Sequence, residues 1–151
     1  MSLKEQLAND LADSLRQGDD TRKSTIRMLM SAISNEEVAG AERRELDDAD
    51  VLKVVARQVK QRRDSIEEFK KAGRDDLAGK ETAELKVLQA YMPEQASREE
   101  IETEARKAIA EVSATGPQDK GKVMKAIMPR LAGRAEGRDI NEVVTQQLSA
   151  L

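Results

Sequence analysis

Apolar residues in this chain return every three or four positions, and that rhythm, set between strong start and stop signals, confines it to helices. Leu3, Leu7, Leu11 and Leu15 repeat every four residues, one face of a first helix. Ser2-Leu3-Lys4-Glu5 fits a capping box at its start, and Gly18 ends it. Asp19-Asp20 cap a second helix whose stripe is Ile26, Leu29, Met30 and Ile33, running on to Val38. Arg22, Lys23 and Arg27 stand near its start, where cations oppose the helix dipole, a placement that invites another use.

After the Ala39-Gly40 turn, Asp47 reads as a cap with Asp50 in the first turn and Leu46 stapled against Val51. A calcium loop would need spaced oxygen ligands and a distal Glu, and this acidic cluster has neither. The longest helix runs from about Asp48 to Ala72, with Leu52, Val55, Val59, Ile66 and Phe69 inward. Arg62 and Arg63 interrupt its stripe. Residues 51 to 63 hold five cations (Lys53, Arg57, Lys60, Arg62, Arg63) and no anion. Such a run reads as a solvated face in which an arginine reaches an acidic neighbour such as Glu67 or Glu84, with a ligand site as the alternative.

Gly73 closes that helix, and Asp75-Asp76 open another through Leu77, Leu85 and Leu88 that Met92-Pro93 stops. Ser97-Arg98-Glu99-Glu100 is a second capping box, leading a helix through Ile101, Ala105, Ala108, Ile109 and Val112. Thr115-Gly116-Pro117 breaks it, and Pro117 suits the first position of the next helix. That helix carries Val123, Met124, Ile127, Met128 and Leu131, kinks at Pro129 and ends at Gly133. Asp139 with Glu142 caps a final helix with Ile140, Val143, Val144, Leu148 and Leu151 on its apolar face. The expected fold is all-α, an irregular array of about seven helices in two subdomains: four helices in 1–92, a linker at 93–96 and three helices in 97–151. One Phe, one Tyr and few β-branched runs argue against sheet.

The chemistry available is narrow. There is no histidine and no cysteine, so the commonest general base, the strongest nucleophile and any thiolate metal site are all missing. The carboxylate clusters sit at helix starts or on charged faces, where they serve the dipole. Tyr91 reads as a plug at a domain junction, its ring buried and its oxygen wet. These residues suggest no catalytic group, no cofactor and no metal. No apolar run reaches membrane-spanning length and the amino terminus lacks a signal h-region, so the expected location is cytoplasmic, with no membrane partner.

A distinctive stretch lies between Gly116 and Arg138. Six cations (Lys120, Lys122, Lys125, Arg130, Arg134, Arg138) face two anions, Asp119 and Glu136, while the whole chain carries a net charge of −3. A nucleic-acid role would therefore have to come from this local patch. Gly116-Pro117-Gln118-Asp119-Lys120-Gly121-Lys122 has the spacing of a phosphate-binding P-loop, yet Val123 replaces the Mg²⁺-binding hydroxyl and no strand precedes it. Free amides at a helix start, with Gly121 and the lysines, could still hold a phosphate of a larger ligand. A solvated lysine face is the alternative.

Four segments carry a family resemblance. Gly121-Lys122-Val123-Met124-Lys125-Ala126 followed by Gly133-Arg134-Ala135-Glu136-Gly137 resembles the GatB/YqeY motif. So do residues 24–29, residues 61–69 and Tyr91-Met92-Pro93-Glu94-Gln95, in the order of a free-standing YqeY-like protein. The resemblance implies an all-helical fold of two subdomains. It also implies a contact with tRNA, because the matching tail of the amidotransferase subunit GatB helps hold the tRNA body, while catalysis there belongs to other parts. The positions carried over are Gly121, Lys122, Met124, Lys125, Gly133, Arg134 and Ala135. One departure is Glu136, where the family usually has a shorter Asp or Asn able to cap the following turn.

Three functions are thereby set in competition. The first is a non-catalytic protein that binds tRNA, or joins the tRNA-dependent amidotransferase machinery, through Lys120, Gly121, Lys122, Lys125, Arg130, Gly133, Arg134 and Arg138. With almost no aromatic platforms, it would read RNA shape and backbone. The second is a protein–protein adaptor using Met28, Met30, Met124 and Met128. The third is carbon–nitrogen ligase activity with glutamine as amide donor, within a complex, which rests on the family name alone.

Overall fold

A computed structural model describes all of residues 1–151 and contains seven α-helices and no strand. The chain divides into two compact units, Met1–Met92 and Pro93–Leu151.

The first unit holds α1 (Leu3–Gln17), α2 (Asp20–Val38), α3 (Asp48–Lys71) and α4 (Asp75–Gln89). Its starts are built as their residue types dictate: the Ser2 hydroxyl accepts from the Glu5 amide, Asp19 from the Arg22 amide and Asp47 from the Asp50 amide. Gly18, at φ +67°, turns the chain between α1 and α2. Leu7, Ile26, Leu29, Ile33, Val51, Val55, Val59 and Leu88 form the core, closed by Leu46 and Tyr91. Burying one such side chain stabilises the unit by about 1.5–3 kcal/mol.

Two expected stripes drift. A strict four-residue repeat advances about 40° around the helix at each step. Leu7 is therefore fully buried, Leu11 half-buried and Leu15 exposed, while Ser14 takes the inward place and bonds the Leu11 carbonyl at 2.7 Å. At the end of α2, Glu37 lies four residues past Ile33 and is buried, while Val38 lies five past it, about 140° round the helix, and is exposed. The Glu37 carboxylate is held by Lys4 Nζ at 2.8 Å and the Leu46 amide at 3.0 Å, which draw its pKa below the usual value in that order.

In α3 the buried residues are Val51, Val54, Val55 and Val59, and Leu52, Ile66 and Phe69 are only half-buried. Arg62 turns inward, its Nε 3.1 Å from Glu84 and 3.4 Å from Glu81 of α4. The pairing with Glu84 matches the acidic-neighbour reading of that run. At the end of the unit Tyr91 is buried, and its hydroxyl donates to Asp10 Oδ2 at 2.5 Å. The oxygen expected in water is thus in a salt-bridged network, since Arg22 also reaches Asp10 and Asp13.

The second unit holds α5 (Arg98–Glu111), α6 (Lys120–Ile127) and α7 (Gly137–Ser149), with 3₁₀ turns at Pro117–Asp119 and Met128–Arg130. Ser97 caps α5 through the Glu100 amide. Ile101, Ala105, Ala108, Val123, Ile127, Leu131, Ile140, Val143, Val144 and Leu148 make a separate core. Two local expectations change. The stripe around Pro129 becomes a 3₁₀ turn, because proline gives no amide to an α-helical ladder. The last helix starts at Gly137 with Glu136 as its N-cap, which makes no side-chain capping bond, and Leu151 lies past its end and exposed.

Candidate functional site

The turn that leads into α6 supplies its own anion. Gly116 is extended, and Pro117–Asp119 wind into a 3₁₀ turn in which the Asp119 amide donates to the Gly116 carbonyl at 3.0 Å. The Lys120 amide donates to Pro117. Two of the amides at this helix start, those of Asp119 and Lys120, are therefore already bonded. The Asp119 carboxylate accepts from the Thr115 amide at 2.9 Å and the Thr115 hydroxyl at 3.3 Å. The backbone bond from Thr115 is the main cause holding the Asp119 carboxyl below its ordinary pKa. An anionic side chain occupies the loop where a P-loop would cradle phosphate.

From that turn α6 presents two faces. Val123 and Ile127 are buried against α5 and α7, with Met124 packed at the edge. Gly121, Lys122 and Lys125 are exposed, and Lys120 is half-exposed. Lys122 Nζ lies 3.9 Å from Asp119, a loose contact, whereas Lys120 and Lys125 make no ion pair. Nothing lies within 4 Å of where a Cβ on Gly121 would stand, so the backbone there is open to close approach. Arg138 is exposed in the first turn of α7.

The arginines of the following segment are engaged by the unit itself. Arg130 pairs with Glu111 and lies 3.6 Å from Glu104, both on α5. Its guanidinium is the first cause drawing the Glu111 carboxyl down. Arg134 donates from Nη2 to Glu100 at 2.6 Å and from Nε to the Glu94 carbonyl at 3.0 Å. Gly133, at φ +75°, makes the left-handed turn that aims it, with Pro93 Cγ 3.8 Å from the Cβ position. Gln95 Nε2 donates to the carbonyls of Gly133 and Pro93, and the Ala96 amide donates to the Arg134 carbonyl. Residues 93–96 are thus fastened onto the Gly133–Arg134 turn.

The eight residues singled out from the sequence accordingly fall into two groups. Lys120, Gly121, Lys122 and Lys125 share the start and outer side of α6, with Arg138 on α7. Arg130, Gly133 and Arg134 belong to the turn beyond α6, and the two arginines floor a groove of about 420 Å³ walled by Ser97, Glu100, Thr103 and Glu104. The sequence reading overlooked the glutamates of that wall. Their signal is spacing: positions 100 and 104 fall four apart, and Glu111, which pairs with Arg130 outside the wall, follows seven further along the same helix face.

No three acidic residues converge as a metal site, and no helix is long and apolar enough to cross a membrane.

Comparison with known proteins was consistent along most of the chain. Residues 4–148 match the family model described as Yqey-like protein. Three relatives share the name altered inheritance of mitochondria protein 41, mitochondrial. That of Vanderwaltozyma polyspora is 37% identical over 68% of this chain and 56% of its own length. That of Eremothecium gossypii is 39% identical over 72% and 60%, and that of Saccharomyces cerevisiae 30% identical over 81% and 66%. The chain thus spans between 56% and 66% of the length of these relatives. Their names overturn the cytoplasmic location expected above, since a missing h-region speaks only against a secretory leader. The chain belongs to the YqeY-like protein family.

Proposed function

We propose that the carboxy-terminal unit binds the phosphate backbone of a folded RNA, tRNA being the first to test, through Lys120, Lys122 and Lys125. The observation that carries this reading is the division of labour among the cations. The arginines nearest α6 are held by α5, while the α6 lysines project beside an open glycine backbone, and of the three only Lys122 reaches an anion, Asp119 at 3.9 Å. Lysines so placed act as point charges on phosphates, and the near absence of aromatic side chains leaves shape and backbone as what is recognised. Family membership supports the same reading through the likeness to the GatB tail.

The test is a titration of bulk tRNA with the full chain across a salt series, read by fluorescence anisotropy. Contact with about three or four phosphates gives a log–log salt slope near −3. A Lys122→Glu, Lys125→Glu variant, with its helix content verified by circular dichroism, loses the binding. No binding at low salt sinks the proposal.

Exposed methionines favour a second reading, docking on another protein. Met28 is 50% exposed on α2, with Arg62 Nη2 3.9 Å from its sulfur, and Met128 is 40% exposed. Partner binding that ignores both salt and RNA would distinguish it.

A further inference from the structure

The groove beneath α5 holds two guanidiniums whose partners are all carboxylates or carbonyls of the same unit. Arg134 meets Glu100 at 2.6 Å, and Arg130 meets Glu111 and Glu104. A carboxylate and a phosphate present similar oxygen pairs to a guanidinium, and arginine bonds either one through two parallel N–H groups. The groove, about 420 Å³, is wide enough for a phosphate group, and Ser97, Glu99 and Thr103 complete its lining. Neither arginine is deeply buried: their side chains are 29% and 37% exposed, and those of Glu100 and Glu111 are 50% and 56% exposed. Ion pairs this exposed are weak and exchangeable.

We infer that this groove is a phosphate subsite kept masked by α5, with Glu100 and Glu111 standing on Arg134 and Arg130 where phosphate oxygens would bind. The proposal rests on the reading that the unit binds RNA backbone, and it adds a regulated second contact to the lysines of α6. Glu100 and Glu111 compete with the ligand, so they lower affinity and raise selectivity for polyanions dense enough to displace them both. A single isolated phosphate gains little against two tethered carboxylates, because tethering gives them a high effective concentration. Arg134 retains the Glu94 carbonyl when Glu100 leaves, so unmasking does not cost the turn its anchor.

The experiment uses the full chain and two probes, inorganic tripolyphosphate and tRNA. Guanidinium Nε–H signals of Arg130 and Arg134 are followed by NMR during tripolyphosphate titration. The comparison is with Glu100→Gln, Glu111→Gln, which keeps side-chain volume and leaves the Ser97 cap on the position-100 amide in place. The expected results are movement of both guanidinium signals and about three- to tenfold tighter tripolyphosphate binding by the variant, as loss of two competing charges requires. Unmoved guanidinium signals, or equal affinities, overturn the masking. The tRNA arm separates the two readings. Wild-type tRNA binding through the α6 lysines that the glutamine variant does not tighten removes the masked groove and leaves the RNA reading. Tripolyphosphate capture that the variant tightens, with no tRNA binding by either protein, keeps the groove and removes the RNA.

Discussion

The hydroxyl of Tyr91 donates to the carboxylate of Asp10 across 81 residues of sequence, at 2.5 Å, and fastens the end of α4 to α1. Burial first, and then this bond to an anion, push the phenol well above its ordinary 10.0. Because the native state holds the proton more tightly than the unfolded chain, stability from this group is full below pH 10.0 and falls as pH rises beyond it. This is the chain's one tyrosine and there is no tryptophan, so an ultraviolet alkaline titration reads it directly. The phenolate should emerge later in the native protein than in urea. Tyr91→Phe should cost about 1.5–3 kcal/mol, the value of a hydrogen bond to a charged group.

Glu37 sets an acid limb. Lys4 and the Leu46 amide hold its carboxyl below the usual 4.5, so its contribution is present above that pH and is lost as the pH falls through the lowered value. Thermal unfolding measured from about pH 6 down to about pH 3 should fall less steeply for Glu37→Gln than for the native chain. Parallel slopes would assign the acid limb to other carboxylates.

Arg62 sits between Glu81 and Glu84 with its side chain 11% exposed. Arg62→Met leaves two carboxylates without their cation, at a cost of about 3 kcal/mol in urea unfolding. Adding Glu81→Gln and Glu84→Gln to the same variant should recover most of that loss, because an apolar or neutral replacement of a whole buried ion cluster is often close to neutral. A triple variant as unstable as the single one would show that shape, not charge, is what Arg62 supplies.

Two glycines should respond in opposite directions. Gly133→Ala must hold a side chain at φ +75° and should lose about 1 kcal/mol. Gly121→Ala meets nothing within 4 Å and lies in the first turn of α6, so it should gain about 0.5 kcal/mol. If the open backbone at Gly121 serves phosphate approach, this more stable variant binds tRNA less well. Differential scanning calorimetry and the anisotropy titration together decide it.

The features legible in the sequence are those whose causes are local. Ser2, Asp19, Asp47 and Ser97 each cap the helix they precede, because a short oxygen-bearing side chain can reach an amide three residues on wherever the rest of the chain goes. Arg62 finds Glu84 because α3 and α4 form a hairpin that brings such residues together. Exact helix phase was less legible. Spacing alone puts Leu15 and Val38 inward, while the 3.6-residue turn places Ser14 and Glu37 there. At the candidate site, the cations could be counted but not sorted. What separates Arg130 and Arg134 from Lys120 and Lys125 is the opposing face of α5, a tertiary fact with no local signature.

The fastening of residues 93–96 onto the Gly133–Arg134 turn has a consequence for inheritance. A gene rearrangement that joined new coding sequence just upstream of Pro93 would carry over more than three helices. It would carry a segment whose leading end is already tied down by Arg134 and Gln95, with a complete core from Ile101 to Leu148 behind it. The junction with whatever precedes Pro93 would then fall outside residues that the unit itself holds in place.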